Sequence, residues 1–141
     1  MTESGRSTQE MRYLSPLALA FVGDAVLEAD VRERAVREKH GKMDDLHRKT
    51  VRHVRATAQA DATRGLLPLF NEVEADVFRR AKNTRPLRVP KSATLADYRY
   101  STGIEAVIGY LHLSGQPERL RWLLVELWRA VEKESVALEE E

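Results

Sequence analysis

The helical spacing of the apolar residues is the feature that most constrains the fold of this chain. Apolar positions recur every three or four residues in five long segments, and glycine or proline lies near most segment ends. No alternating strand pattern competes with them. A hydrophobic fraction of 43% over 141 residues suffices for one core. We therefore predict an all-α protein: a single compact helical domain with about five main helices.

Capping and breaking residues give the expected bounds of the helices. Serine can cap a first turn, and proline at the first helical position loses no hydrogen bond. We expect the helical domain to cover residues 13–135, between a flexible N-terminal tail at 1–12 and an acidic tail at 136–141. The expected helices run from Ser15-Pro16 to near Gly41, from Asp44 or Asp45 to Arg64, from Asn71 to Lys82, from Leu95 to Leu113, and from Pro117 onward.

Composition excludes several classes of protein. There are no cysteines, which removes disulfides, thiolate metal sites and cysteine nucleophiles from consideration. No apolar run reaches the roughly 18 residues of a membrane span, so we expect no membrane association and a cytoplasmic location. The net charge is only +1, so total charge neither indicates nor excludes a nucleic-acid partner.

Two acidic residues stand out because each is a lone carboxylate in a weakly polar helical segment. Asp24 lies in LALAFVGDAVL, and Glu105 lies in STGIEAVIGYL. Helical spacing places both on apolar faces, so we expect each to point toward the core. A carboxylate withdrawn from water must be hydrogen-bonded, paired or bound to a metal. The small residues Gly23, Gly103 and Gly109 beside these acids indicate either a close approach of the helices or room for a ligand. If the two helices cross at these glycines, the carboxylates can share one cation; otherwise each pairs with an arginine or caps a helix.

The motifs around these acids resemble those of a known family. FVGDAVLE resembles the FLGDAVL core of the ribonuclease III signature, and GIEAVIGYLHL resembles the second acidic helix of that family. Within the family the chain is most similar to Mini-III ribonucleases, which share its ordered segments LALAFVGDA, DLHRK, RAKN and YRYSTGIEAVIGYL. The likeness runs from about Leu14 to His112. Four motifs in one order are far more specific than one.

The resemblance implies a domain of the ribonuclease III type and a magnesium-dependent endoribonuclease that cleaves double-stranded RNA. It implies the large-subunit (23S) ribosomal RNA precursor as substrate and a homodimer as the active form. Asp24 and Glu105 are then the catalytic residues and the ligands of Mg²⁺, with Mn²⁺ as the expected substitute. Two further acids of the larger family correspond to Ala20 and Thr102 here, which puts a fully occupied two-metal site in doubt.

The chemistry expected of such a site needs few protein ligands. Magnesium prefers oxygen ligands, retains several waters and is commonly held by one or two carboxylates together with substrate phosphate. A bound ion of this kind activates water and neutralises charge on the phosphate during phosphodiester hydrolysis. The motifs resemble the catalytic domain alone, so we expect duplex recognition to come from this domain.

A basic segment is the expected RNA-binding surface. RRAKNTRPLRVPK contains six cations and no acid, which is typical of a phosphate-binding surface and equally of a solvated loop. Its prolines limit the entropy lost on docking. We predict that RNA contacts Arg79, Arg80, Lys82, Arg85, Arg88 and Lys91.

Other residues carry open alternatives. His47 either contacts RNA or makes a hydrogen bond, Glu28 either supports the metal site or pairs with Arg32, and Tyr98 and Tyr100 either contact RNA or belong to the core. Phe21 is a candidate dimer contact. The rival functions are a non-catalytic helical RNA-binding module and, less favoured, a helix-turn-helix DNA-binding protein.

Overall fold

In the part of the chain that it describes, the computed structural model consists of helices joined by turns and loops. It covers residues 8–38, 41–86, 89, 91 and 93–140, with the backbone alone at 8, 9, 135 and 137–140. The all-α prediction is confirmed in these ranges, where no strand occurs. The helices are α1 (Thr8–Arg12), α2 (Pro16–Glu38), α3 (Met43–Val54), α4 (Ala56–Leu66), α5 (Glu72–Lys82), α6 (Leu95–Leu113) and α7 (Pro117–Glu140), with a 3-10 turn at Leu67–Leu69.

Helix α6 is the centre of the domain and contacts α2, α4, α5 and α7. From Ser101 to Leu111 every residue is buried except Glu105, which is partly buried. Such a helix is stabilised by packing on all sides rather than by one apolar stripe. No helix in the described ranges is both long enough and apolar enough to cross a membrane. The surrounding helices contribute Leu19, Leu27, Val31, Ala62, Leu66, Val77, Phe78, Leu123, Leu127 and Val131 to the core.

Helices α2 and α6 approach each other so closely that their backbones touch at two glycines. A Cβ atom on Gly23 would lie 1.6 Å from the carbonyl oxygen of Glu105, and one on Gly109 would lie 1.9 Å from that of Leu19. Neither position can carry a side chain without moving a helix. The sequence left open whether these glycines serve helix packing or ligand space, and packing is the reason here.

The expected ends of several helices are confirmed. Asn71 caps α5, accepting a hydrogen bond of 2.9 Å from the Glu74 backbone while the Glu74 carboxylate accepts one of 3.0 Å from the Asn71 backbone. Pro16 and Pro117 begin α2 and α7. After α6, Gly115 adopts a φ of +70°, which favours glycine.

The single second helix predicted from Asp44 or Asp45 to Arg64 was wrong, because the chain breaks at Arg55. Arg55 has an extended backbone, with ψ of 149°, between α3 and α4. The break has a tertiary cause: α3 packs on α2 whereas α4 packs on α6, and one straight helix does not serve both. Lys42, with no side-chain cap bond, precedes α3, so Asp44 and Asp45 lie in its first turn instead of capping it.

Both predicted tails also differ from the structure where it is described. Residues 8–12, placed in a flexible N-terminal tail, form α1, which is held by an ion pair of 3.1 Å between Arg12 and Asp76. Met11 packs against the core. At the other end α7 continues to Glu140, past the expected limit at residue 135, since Ala, Leu and Glu are strong helix formers. Residues 1–7 and 141 lie outside the described residues.

A buried histidine joins α3 to α7. The ring of His53, only 1% exposed, stacks on Trp128 at 3.8 Å between centroids. Its Nε2 lies 3.7 Å from Glu132, which also pairs with Lys49 at 2.7 Å. Burial lowers the pKa of His53 to about 4; Glu132 opposes this shift, whereas Arg52 and Lys49 add to it. The folded protein therefore favours the neutral form of the His53 ring.

We predict that Gly23→Ala or Gly109→Ala lowers the free energy of unfolding by about 3 kcal/mol or more, because backbone atoms occupy the space of the new methyl group. Gly65 is the matched control: it is helical and exposed, with open space around it. Gly65→Ala is expected to stabilise the fold by up to about 1 kcal/mol. Urea unfolding measures all three, and equal effects at Gly23 and Gly65 would contradict the described crossing.

We predict that acid destabilises the fold through His53. Because its folded pKa of about 4 lies below the ordinary value of 6.5, the unfolded chain binds the proton first as the pH falls. The free energy of unfolding should fall between these two pH values, with a slope approaching about 1.4 kcal/mol per pH unit. His53→Phe retains an aromatic ring beside Trp128 and should flatten the slope between pH 6.5 and 5. A slope unchanged by this substitution would show that other groups cause it.

Candidate active site between the second and sixth helices

The crossing of α2 and α6 brings Asp24 and Glu105 together. Gly23 packs directly against the backbone of Glu105, so the next residue along α2 lies beside the Glu105 side chain. The two carboxyl groups form a hydrogen bond with each other. The predicted meeting of these acids at a glycine crossing is thus present in the structure.

The two acids differ in burial. Glu105 is partly buried within the otherwise buried run of α6, as its spacing predicted. Asp24 is exposed, so the expectation that it points toward the core was wrong. The reason is that this edge of α2 is left uncovered: its neighbour Phe21 is 81% exposed. The pair therefore has one carboxyl group open to solvent and one sheltered.

The surroundings of Glu105 disfavour a second negative charge. Burial first, then the charge of Asp24 and a hydrogen bond with Asp24, together raise the pKa of Glu105 to about 9. In the described part of the chain no Lys, Arg or His lies within 4.0 Å of either carboxylate, and neither caps a helix. Pairing with an arginine is therefore not how these acids are satisfied.

The acids open into a cleft of about 390 Å³. Ser101 and Thr102 lie in its wall and donate hydrogen bonds of 3.2 and 3.0 Å to the Tyr98 carbonyl. Ala20 and Thr102, which correspond to acids in the larger family, both line the same space. The full lining is Leu17, Ala20, Phe21, Asp24, Val54, Ala56, Tyr98, Ser101, Thr102 and Glu105.

These residues fit a magnesium ion that keeps most of its ligands as water. The donor set consists of two adjacent carboxylates, and oxygen is what this ion prefers. A cation between them would remove the repulsion that raises the Glu105 pKa. Among the described residues no group of three or more His, Cys, Asp or Glu could hold a metal, so this site offers no larger ligand cage.

The cleft wall contains two residues that the sequence did not indicate. Val54 and Ala56 reach it because the chain turns at Arg55 between them. The predicted continuous second helix gave no reason to place these two residues in the cleft wall. The break at Arg55 was hard to predict from the sequence, because no proline or glycine marks it.

Two arginines of the predicted RNA-binding segment make hydrogen bonds within the protein. Asp76 accepts hydrogen bonds from Arg79 at 2.8 Å and from Arg80 at 3.2 Å, and Arg80 also donates to the Arg12 carbonyl. The hydrogen bond from Arg12 lowers the pKa of Asp76, which stays charged. Asp76 lies three and four residues before these arginines, so helical spacing could have revealed both pairs.

The part of the segment at Lys82 and Asn83 lies on a different face of α6 from the cleft. Lys82 lies over the Tyr100 ring at 5.7 Å, and with Asn83 it borders a recess beside Ala96 and Arg99. Tyr98, Thr102 and Glu105 occupy the cleft face. Arg79, Arg85 and Lys91 are exposed, Arg80 and Lys82 are partly buried, and Arg88 lies outside the described residues.

The structure also places the residues whose roles the sequence left open. Glu28 pairs with Arg32 at 3.5 Å, which is the simpler of its two alternatives. His47 is exposed. Tyr98 lines the cleft, whereas Tyr100 packs on Phe78 with ring centroids 5.5 Å apart. The two tyrosines of YRYS thus belong to different environments.

Comparisons with known proteins agree with this fold and identify the family. The family described as Ribonuclease III domain matches residues 17–116. A Mini-ribonuclease 3 from Symbiobacterium thermophilum is 50% identical over 79% of this chain and 85% of its own length, and one from a Thermoanaerobacter species is 43% identical over 79% and 78%. A crystal structure of a protein from Fusobacterium nucleatum matches with a TM-score of 0.77 and 26% identity, over 85% of this chain and 96% of that one. The chain therefore belongs to the ribonuclease III family of endoribonucleases, in its Mini-ribonuclease 3 branch.

Proposed function

We propose that this protein cleaves double-stranded RNA by magnesium-dependent hydrolysis in the cleft between α2 and α6. The observation that carries the proposal is the hydrogen-bonded Asp24–Glu105 pair at the glycine crossing, in a chain of this family. Neither acid has a cationic partner among the described residues. A helical module that only binds RNA has no use for such a pair, so we set that alternative aside.

The roles of the two acids follow from their environments. Asp24 and Glu105 would hold the cation, with Mn²⁺ able to replace Mg²⁺. When bound, the ion neutralises charge on a phosphate oxygen and activates water for attack on phosphorus. Without a cation, the raised pKa keeps a proton on Glu105 at neutral pH, shared by hydrogen bond with Asp24. Loss of that proton frees an oxygen as a ligand.

A homodimer would supply one such site for each strand of the duplex. Phe21 supports this proposal because it is 81% exposed at the rim of the cleft, where a second copy would cover it. A rigid pair of sites selects substrates by shape: A-form RNA differs from DNA in its grooves and displays 2′-hydroxyl groups. Family resemblance supports the 23S ribosomal RNA precursor as the substrate, and a cytoplasmic location stays a prediction.

We retain the basic segment as the main RNA-binding surface. Arg79, Arg85 and Lys91 are exposed and accessible to phosphate, which supports a role in binding. Arg80 donates a hydrogen bond to the Arg12 carbonyl of α1, and Lys82 lies over the Tyr100 ring. We therefore expect these two side chains to contribute less to RNA binding. The proposed set is Arg79, Arg80, Lys82, Arg85, Arg88 and Lys91.

We predict that the protein, in Mg²⁺ at fixed ionic strength, cuts duplex RNA but spares single-stranded RNA and duplex DNA of the same sequence. Asp24→Asn and Glu105→Gln should each abolish cleavage, because they remove metal affinity without changing core volume. Glu105→Gln should also unfold no more easily than the wild type at pH 8, since it removes a buried carboxyl group that ionises unfavourably. Near-normal turnover by either variant would overturn the site, and equal cutting of single strands would overturn the duplex model.

We predict that Arg85→Glu weakens duplex binding and flattens its dependence on salt, since fewer counterions are released when fewer phosphates are contacted. Arg80→Glu should instead lower thermal stability, because this side chain contacts α1. Binding is measured in Ca²⁺, which is expected to permit binding with little turnover. An unchanged salt slope for Arg85→Glu and Lys91→Glu together would place RNA elsewhere.

A further inference from the structure

In the part of the chain that the structure describes, the lining of the cleft contains two acidic side chains and no basic one, although the proposed substrate is negatively charged. The two acidic side chains are Asp24 and Glu105; the rest of the lining is apolar or carries hydroxyl groups. RNA phosphates are repelled by carboxylates, and a single cation bound there compensates only locally. Among the described residues of the basic segment none lines the cleft, and Lys82 lies on another face of α6. A positive side chain at the rim of the cleft would offset this repulsion of the strand that is cut.

Arg55 is placed to provide that charge. It stands between Val54 and Ala56, which both line the cleft, at the break between α3 and α4. Its side chain is exposed, and its backbone N–H donates to the Val51 carbonyl at 3.1 Å while its carbonyl accepts from Gln59 at 3.1 Å. The position is thus fixed by the backbone while the guanidinium is free to move.

The Arg55 guanidinium also forms no ion pair with a described residue, unlike the basic side chains of α3 and α4. Every other lysine and arginine within α3 and α4 pairs with a carboxylate: Arg48 with Asp45, Lys49 with Glu38 and Glu132, Arg52 with Glu132, and Arg64 with Asp61 and Asp97. Among the described residues no carboxylate lies within 4.0 Å of Arg55.

The acids nearest to Arg55 do not alter this conclusion. Asp61 and Glu134 border the same shallow depression as Arg55, on the side toward α7. Asp61 already accepts a hydrogen bond from Arg64 at 2.7 Å. The Arg55 side chain itself does not line the cleft, so contact with a phosphate there requires it to turn away from this depression, and no ion pair with a described residue opposes that movement.

We propose that Arg55 binds a phosphate next to the scissile one and so positions the substrate strand over Asp24 and Glu105. The inference rests on the proposed function and adds a strand contact to it. An arginine suits this task because its planar guanidinium donates two parallel hydrogen bonds to one phosphate. Arg55 is a positioning residue, since it does not touch the reacting atoms, and it should affect substrate affinity more than the rate of the bound complex.

The test compares Arg55→Ala and Arg55→Lys with Arg48→Ala, a matched control on an exposed α3 cation that is already paired. For Arg55→Ala we expect KM to rise about tenfold with kcat within about twofold, which is the loss of one charged hydrogen-bonding partner. The slope of log affinity against log salt, measured in Ca²⁺, should fall by about 0.9, the value for one phosphate. Arg55→Lys should keep that slope with an intermediate KM, and Arg48→Ala should match the wild type.

The outcomes separate this inference from the function on which it rests. Wild-type cleavage of duplex RNA with an unchanged KM and salt slope in Arg55→Ala would overturn the role of Arg55 alone. A fall in kcat with no change in KM or slope would also overturn it, because it would assign Arg55 to the chemical step. Failure of the wild-type protein to bind or cut duplex RNA would overturn both proposals.

Discussion

The contact of α2 and α6 at Gly23 and Gly109 is the constraint on which the rest of the structure depends. Two helical backbones in direct contact bury the central part of α6 almost completely, which gives a domain of this size its core. The same contact fixes the exposed Asp24 beside the partly buried Glu105. Packing and function therefore have one origin, and neither glycine can change without affecting both.

This arrangement makes ionisation of Glu105 unfavourable. Glu105 interrupts a buried run, and its pKa of about 9 reflects burial first and the neighbouring Asp24 second. A side chain whose ionisation is disfavoured by burial and a neighbouring acid is one that a divalent cation can convert to its charged form. The break at Arg55 completes the site, because it bends the chain so that Val54 and Ala56 close one wall. His53 and Gln59 hold the two sides of that break together.

Much of the fold was predictable because local chemistry determined it. The capping box at Asn71, the proline starts and the glycine after α6 are encoded within a few residues. The meeting of the two acids followed from their apolar surroundings, the small residues beside them and the family motifs. Sequence reasoning failed where tertiary packing decided: the break at Arg55, the exposure of Asp24 on an uncovered edge, and the pairing of Asp76 with Arg12 of another helix.

The central claim is that the glycine crossing joins Asp24 and Glu105 into one cation site, and anomalous X-ray scattering tests it directly. Crystals of the protein grown with Mn²⁺ should show one anomalous peak between the two carboxylates at the helix crossing, and the peak should disappear in Glu105→Gln. Manganese suits the experiment because it accepts the same oxygen ligands as magnesium. A peak elsewhere in well-occupied crystals, or one that persists unchanged in Glu105→Gln, would contradict the claim.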